Sequence, residues 1–300
     1  MKKLILALSL FSISLVGSAQ LRYNLEVGKK YGLKQLTSQN ITQSIQGMAQ
    51  NIKNTFGGDI TVTIKSKDGD VYTSDLIYES LIFKMESPMF SMGYDSTDEN
   101  QEENAMSGMF KIMVGHVFSM KFNHKGEVLE VTGFADVLEK MQSEAVGQSM
   151  AGAVQESLKG QFSDESMKQN MGTMLIVYPN DKPAAGLTWN KTMEQSGALP
   201  VTSVFNYKVT SATGTVVEME GTGTMTTKEG FSQETMGMTQ HFDLNGNISM
   251  TAKIDAKTGW PVSIKQTQTL EGNISIESPQ LPAPMEVPMS IKGESTYTAL

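Results

Sequence analysis

From residue 235 to residue 254, apolar and polar side chains alternate with period two. Met236, Met238, Phe242 and Leu244 fall on one face, with Thr235, Thr239, His241 and Asp243 on the other. Ile248, Met250, Ala252 and Ile254 then resume the apolar face against Ser249, Thr251 and Lys253. Such alternation marks strands buried on one side only. Asn245-Gly246 lies between the two runs, and because both central positions of a tight hairpin turn need positive φ, this dipeptide predicts a hairpin there. Asp68-Gly69, Lys125-Gly126, Thr213-Gly214 and Thr258-Gly259 predict further hairpins, flanked by runs such as Ile60/Val62/Ile64 and Phe205/Tyr207/Val209. Sequential hairpins make an antiparallel meander.

The period changes in the middle of the chain. Phe134, Val137, Leu138, Met141 and Ala145 recur at helical spacing, and Val154 and Leu158 follow after Gly147 and Gly152. Ser163 is placed to cap a further helix that carries Met167, Met171 and Met174 on one stripe. Helices with an apolar stripe need an apolar face to cover. The expected fold is therefore mainly β with a central helical segment: a curved antiparallel meander, half-barrel-like, wrapping around the helices. Strands are expected over about 20–133 and about 185–277, with the helical segment over about 134–170 between them. The stretch 278–288 holds four of the nine prolines, which predicts an extended connector to a last strand over 289–298. Residues 20–300 then form a single β-rich domain. The uniformly polar run DSTDENQEEN at 95–104 reads as an exposed loop.

The first residues fit no part of this meander. Lys2 and Lys3 precede an apolar run from Leu4 to Val16, and small Gly17 and Ala19 stand before Gln20. These are the three zones of a secretory signal peptide over 1–19, cleaved between Ala19 and Gln20. The apolar run is shorter than a membrane span requires, and no later run is long enough, so no transmembrane segment is expected after cleavage. The expected location is the periplasm, with release to the extracellular side as the alternative. The chain has no cysteine, which removes disulfides, thiol chemistry and a lipidated cysteine from consideration. Without Lys2 and Lys3 the basic residues number 22 against 32 acidic ones, a net charge of minus ten. No segment concentrates lysine or arginine, so nucleic acid is not an expected partner.

Motifs for chemistry are sparse. His116, His124 and His241 are the only histidines, and none has a second histidine or a cysteine at the spacing of a zinc site. There is no nucleophile elbow and no phosphate-cradling glycine loop, so no catalytic residue, cofactor or metal is assigned and a non-enzymatic role is expected. The acidic loop lacks the glycine and ligand spacing of a calcium site. Methionine stands out, with 22 residues. Clusters such as Met89/Met92 and Met106/Met109/Met113 have the thioethers that Cu(I) prefers, but no histidine falls within them to support a copper site. Flexible thioethers more commonly fill a pliable core or line an adaptable apolar pocket. Leu138, Met141, Met167, Met171, Met174, Met236, Met238 and Met250 are the candidate lining of an apolar groove.

Val27-Gly28-Lys29-Lys30-Tyr31, FNHKGEVLEVTG at 122–133, YPNDKPAAGLTWNKT at 178–192 and DAKTGWPVSIKQ at 255–266 resemble a domain-of-unknown-function family of exported Bacteroidota proteins. That resemblance transfers no catalytic residue. In plan, the chain is also similar to periplasmic lipoprotein carriers, in which a half-open antiparallel barrel closes over helices and holds acyl chains. This likeness implies a hydrophobic small molecule or lipid as partner. The alternatives are a structural or protein-interaction module that engages an envelope protein, and, less favoured, a hydrolase. Asp95-Ser96-Thr97 resembles a short O-glycosylation acceptor motif of that phylum.

Overall fold

The computed structural model describes residues 20–45, 48–100, 105–143, 163–197, 199–235, 237–280 and 283–300. The expected signal peptide, including Ala19, lies outside these residues, as do Ala145, Val154, Leu158 and Met236. Strands dominate: β1 Lys30–Ile45, β2 Met48–Asp68, β3 Val71–Tyr78, β4 Ile82–Glu86, β5 Ser91–Asp95, β6 Val117–Asn123 and β7 Val128–Thr132 precede the helical region. β8 Thr188–Gln195, β9 Val201–Thr213, β10 Val216–Thr227, β11 Ser232–Thr235, β12 Met238–Asp255, β13 Pro261–Glu277 and β14 Met285–Ala299 follow it. Three helices are described: α1 Ala105–Met113, α2 Phe134–Ser143 and α3 Asp164–Gly172.

All of the strands join one large open antiparallel sheet, whose main path is β7-β6-β3-β2-β1-β14-β13-β12-β10-β9-β8. The first and last strands meet in the middle, paired from Leu33↔Ala299 to Gln43↔Met289. Each half of the chain steps outward from that seam, so β7 and β8, which flank the helical region in sequence, become the two ends of the path. Helix α3 lies against both of these end strands.

Period-two burial runs as the alternation predicts. Tyr72, Ser74, Leu76 and Tyr78 of β3 are buried while their neighbours are not, and Leu244, Ile248, Met250, Ala252 and Ile254 of β12 share one buried face. The turns at Asp68-Gly69, Lys125-Gly126, Thr213-Gly214 and Thr258-Gly259 connect antiparallel neighbours as expected.

Asn245-Gly246 does not turn. β12 runs straight through it, with Asn245 opposite Glu271 and Gly246 opposite Leu270. The physical reason lies in the phase: a two-residue hairpin would put Leu244 and Asn247 on the same face, whereas the apolar phase continues from Leu244 to Ile248. The turn falls instead at Gly237, φ 74°, between β11 and β12. Three boundaries also differ from the sequence reading. The span 20–133 contains helix α1, the first strand starts only at Lys30, and the last strand begins at Met285 rather than 289. Pro288 is accommodated in β14 because it pairs with Asn273 on one side and lies just past Met289, where pairing with β1 ends.

One end of the sheet is closed by aromatic packing. Tyr23, in the extended segment ahead of β1, meets Phe122, Tyr178 and Trp260 at ring separations of 6.0, 5.1 and 6.2 Å. Tyr72 stacks on Phe122 at 5.3 Å, and the Tyr178 hydroxyl donates to the Gly259 carbonyl at 2.8 Å.

Candidate functional site

Beyond the aromatic end, a cavity of about 370 Å³ separates α3 from the inner face of the sheet. That volume lies at the lower end of the range of small-molecule sites, roughly 300–1,000 Å³. Its lining is part apolar and part polar.

The apolar wall begins with α3. Ser163 is extended and accepts the Ser166 amide at 3.2 Å, and this N-cap fixes the start of the helix. Met167 and Met171, four residues apart, therefore fall on one buried stripe, and Met174 continues it just past the C-cap Thr173. Met193 of β8, Phe205 of β9, Met225 of β10 and Ile248 of β12 extend the wall.

Polar residues of β1, β14 and β13 line the cavity beside Phe56 and Ile60 of β2, and strand register assembles them. Across β1, β14 and β13 one row reads Gln35, Tyr297, Ile264; the next reads Thr37, Ser295, Gln266; the third reads Gln39, Gly293, Gln268. A side chain at Gly293 would begin 2.9 Å from Gln268 Cγ, so the glycine leaves room for that glutamine to lie across the patch. Gln35 Nε2 donates to the Tyr297 hydroxyl at 3.4 Å, and the Thr37 and Ser295 hydroxyls share a hydrogen bond of 2.9 Å. Among the described residues, the side-chain amides of Gln39, Gln266 and Gln268 have no protein partner. Asn170, which lines the cavity from α3, has its buried Oδ1 without a hydrogen-bond donor. The three glutamines are half-buried and open to water, so their unmade hydrogen bonds would cost about 1–3 kcal/mol each only under a ligand that covered them without a polar group.

Of the groove residues expected from sequence, Met167, Met171 and Met174 line this cavity. Leu138 packs half-buried against the core, Met238 is half-buried at the start of β12, and Met250 is buried beside Gly221. The Met141 side chain and Met236 lie outside the described residues. The glutamines were missed, although a signal existed. Gln35, Thr37 and Gln39 stand at the inward phase between Leu33 and Ile41, and Gln266 and Gln268 stand between Ile264 and Leu270.

The histidines lie apart: His116 meets the ring of Phe118 at 4.9 Å, His124 approaches Asp70 at 3.5 Å and His241 approaches Glu277 at 3.8 Å. Among the described residues no three metal-ligating side chains converge. In the described part of the acidic loop, Thr97 donates from its amide and hydroxyl to Asp95, and Ser96 accepts the Leu81 amide.

Burial raises the phenol pKa of Tyr23, Tyr78, Tyr178 and Tyr207 well above the usual tyrosine range, and that of Tyr297 to about 12. The unfolded chain ionises these phenols near pH 10. Their contribution to stability is complete below that value and is lost as pH rises toward the folded-state pKa values. An alkaline titration is therefore expected to show phenolate absorbance rising together with loss of the β-sheet circular dichroism signal. Ionisation of more than three of the eight tyrosines before unfolding would contradict the burial.

A large open antiparallel sheet with a cavity beneath a short methionine-bearing helix defines a mainly β protein. Within that class, the chain belongs to a family of unknown function, DUF6263, whose model matches residues 69–261. No curated protein matches it. Among solved structures it is similar to lipovitellin, in a study of its lipid–protein interactions, at TM-score 0.47 and 9% identity over 92% of this chain and 25% of that one. The chain thus spans about a quarter of the lipovitellin chain's length. It is also similar to an outer membrane channel from Pseudomonas putida F1, at TM-score 0.24 and 7% identity over 93% of this chain and 97% of that one. Among the described residues no helix is long and apolar enough to cross a membrane.

Proposed function

We propose that this chain is an exported, non-enzymatic protein of the cell envelope, periplasmic after signal cleavage, whose curved sheet wraps around its helices to hold a hydrophobic, lipid-like ligand. The observation that carries this reading is the cavity between the α3 methionines and the inner sheet face. Methionine side chains adapt to varied apolar shapes at little cost, which suits a ligand wall. The outer face supports an aqueous setting. Lys208–Glu220, Lys253–Glu218 and Lys265–Glu294 pair across strands at about 3 Å on exposed positions. Lipid-facing lysine would cost about 2–4 kcal/mol at a bilayer midplane. The lining itself offers hydroxyls, amides and thioethers, groups suited to holding a ligand by hydrogen bonds and apolar contact.

Native mass spectrometry of protein purified gently from its own envelope fraction is expected to show a stoichiometric additional mass of lipid size, released on denaturation. A bare polypeptide that also takes up no lipid probe would overturn the reading. A second reading, an interaction module, draws on the β4–β5 hairpin, where Met89, Phe90 and Met92 are exposed at 86%, 46% and 40%. It would be favoured by a mass shifted only by a protein partner.

A further inference from the structure

The geometry points to an uncharged amphiphile as the ligand: an apolar tail against the α3 methionines and a neutral head that both donates and accepts hydrogen bonds, seated on the glutamine rows of β1 and β13. This inference rests on the ligand-binding reading above and names its ligand class.

Three features combine. First, among the described residues lining the cavity none carries a charge. Lys191, from the β8 end of the sheet, is held by Glu127 at 3.2 Å in a neighbouring depression. Tyr78 and Tyr297 stay neutral at ordinary pH because burial disfavours the phenolate. A carboxylate or phosphate placed here would lose its hydration without gaining a counter-charge, a cost of several kcal/mol. Second, a pure hydrocarbon is equally ill-suited, since it would cover the free amides of Gln39, Gln266 and Gln268 and leave them unpaired. A site built to hydrogen-bond its ligand rejects analogues that lack the polar group far more strongly than it rejects a change of chain length. Third, each glutamine amide offers two donors and an acceptor, so the matching head contains hydroxyl, ester or amide groups rather than an anion. A glycerol monoester of a fatty acid has this chemistry.

The test uses the mature protein stripped of bound lipid and two probes with the same tail, monolauroylglycerol and laurate, titrated by calorimetry at about pH 8, where laurate is ionised. The neutral probe is expected to bind at least about tenfold more tightly, the equivalent of one good buried hydrogen bond or more. The Gln266→Leu/Gln268→Leu variant is expected to weaken binding of the monoester by about tenfold or more, because its head loses hydrogen-bond partners while the methionine wall is unchanged. Gln39→Leu provides a second variant should the double one fold poorly, and the preference of the wild-type protein needs no variant. Laurate binding as tightly as the monoester, or more tightly, would overturn the inference while leaving the cavity as a lipid site. If neither probe binds and no endogenous lipid is found, the ligand-binding reading falls, and this inference with it.

Discussion

Replacing Tyr23 with alanine is expected to lower the free energy of unfolding by about 4–5 kcal/mol, a large share of the roughly 5–15 kcal/mol available to a native protein. Tyr23 is fully buried, and its position explains the size of the effect. Its ring gathers Phe122 from β6, Tyr178 from the segment after α3 and Trp260 from the turn before β13, three parts of the chain that are far apart in sequence. Its hydroxyl accepts the buried Ile176 amide at 3.1 Å, its carbonyl accepts the Tyr72 hydroxyl at 3.1 Å, and its amide donates to the His124 carbonyl at 2.7 Å. Alanine keeps the two backbone bonds but removes the ring and leaves the Ile176 amide unpaired. Tyr23→Phe separates these contributions: it should cost only about 1–2 kcal/mol, the penalty of the orphaned amide. Met89→Ala, at an exposed hairpin tip, should stay within about 0.5 kcal/mol. Urea midpoints followed by circular dichroism read all three. A Tyr23→Ala midpoint close to that of Met89→Ala would show that the aromatic end does not hold the sheet together.

Local features of this architecture were legible in the sequence, and nonlocal ones were not. Period-two alternation and a turn dipeptide act within a few residues, so the four hairpins at 68–69, 125–126, 213–214 and 258–259 could be read directly. Ser163 with Met167 and Met171 spells a capped amphipathic helix, and α3 is there. Helix α1 lies where the sequence reading places a methionine cluster: Met106, Met109 and Met113, with Phe110, follow the i, i+3, i+4, i+7 spacing of a helix face. The same three methionines equally fit a thioether cluster, and spacing alone does not separate the two. Sheet order is different in kind. That β1 pairs with β14 across 246 to 266 residues depends on the closure of the whole chain, which no window of sequence encodes. The polar patch inherits that obscurity. Each glutamine could be seen at an inward phase, but only the registers of β1, β14 and β13 bring Gln39, Gln266 and Gln268 onto one patch.

Asn245-Gly246 separates the two kinds of information, and a pair of substitutions there gives the second large expected effect. Gly246→Val should cost about 3 kcal/mol, because a Cβ at this position would begin 1.8 Å from the Thr269 carbonyl oxygen, and backbone cannot swing aside as the tip of a side chain can. Gly272, on the facing strand, meets the same constraint, with the Asp243 carbonyl oxygen 2.0 Å from where its Cβ would stand. β12 and β13 therefore approach so closely that two inward positions, Gly246 beside Leu270 and Gly272 beside Leu244, must be glycine. Asn245 faces outward and is exposed. Asn245→Thr should be neutral within about 0.5 kcal/mol, since a β-branched residue suits an exposed strand position. A two-residue hairpin predicts the reverse at Asn245. There the backbone would need positive φ, and threonine would be the damaging change. Urea midpoints of the two variants thus report whether the chain turns or continues at this dipeptide. Gly246→Val is damaging in either arrangement, so Asn245→Thr decides: if it destabilises, β12 breaks in two and the sheet on which the Gln266 and Gln268 row depends is shorter.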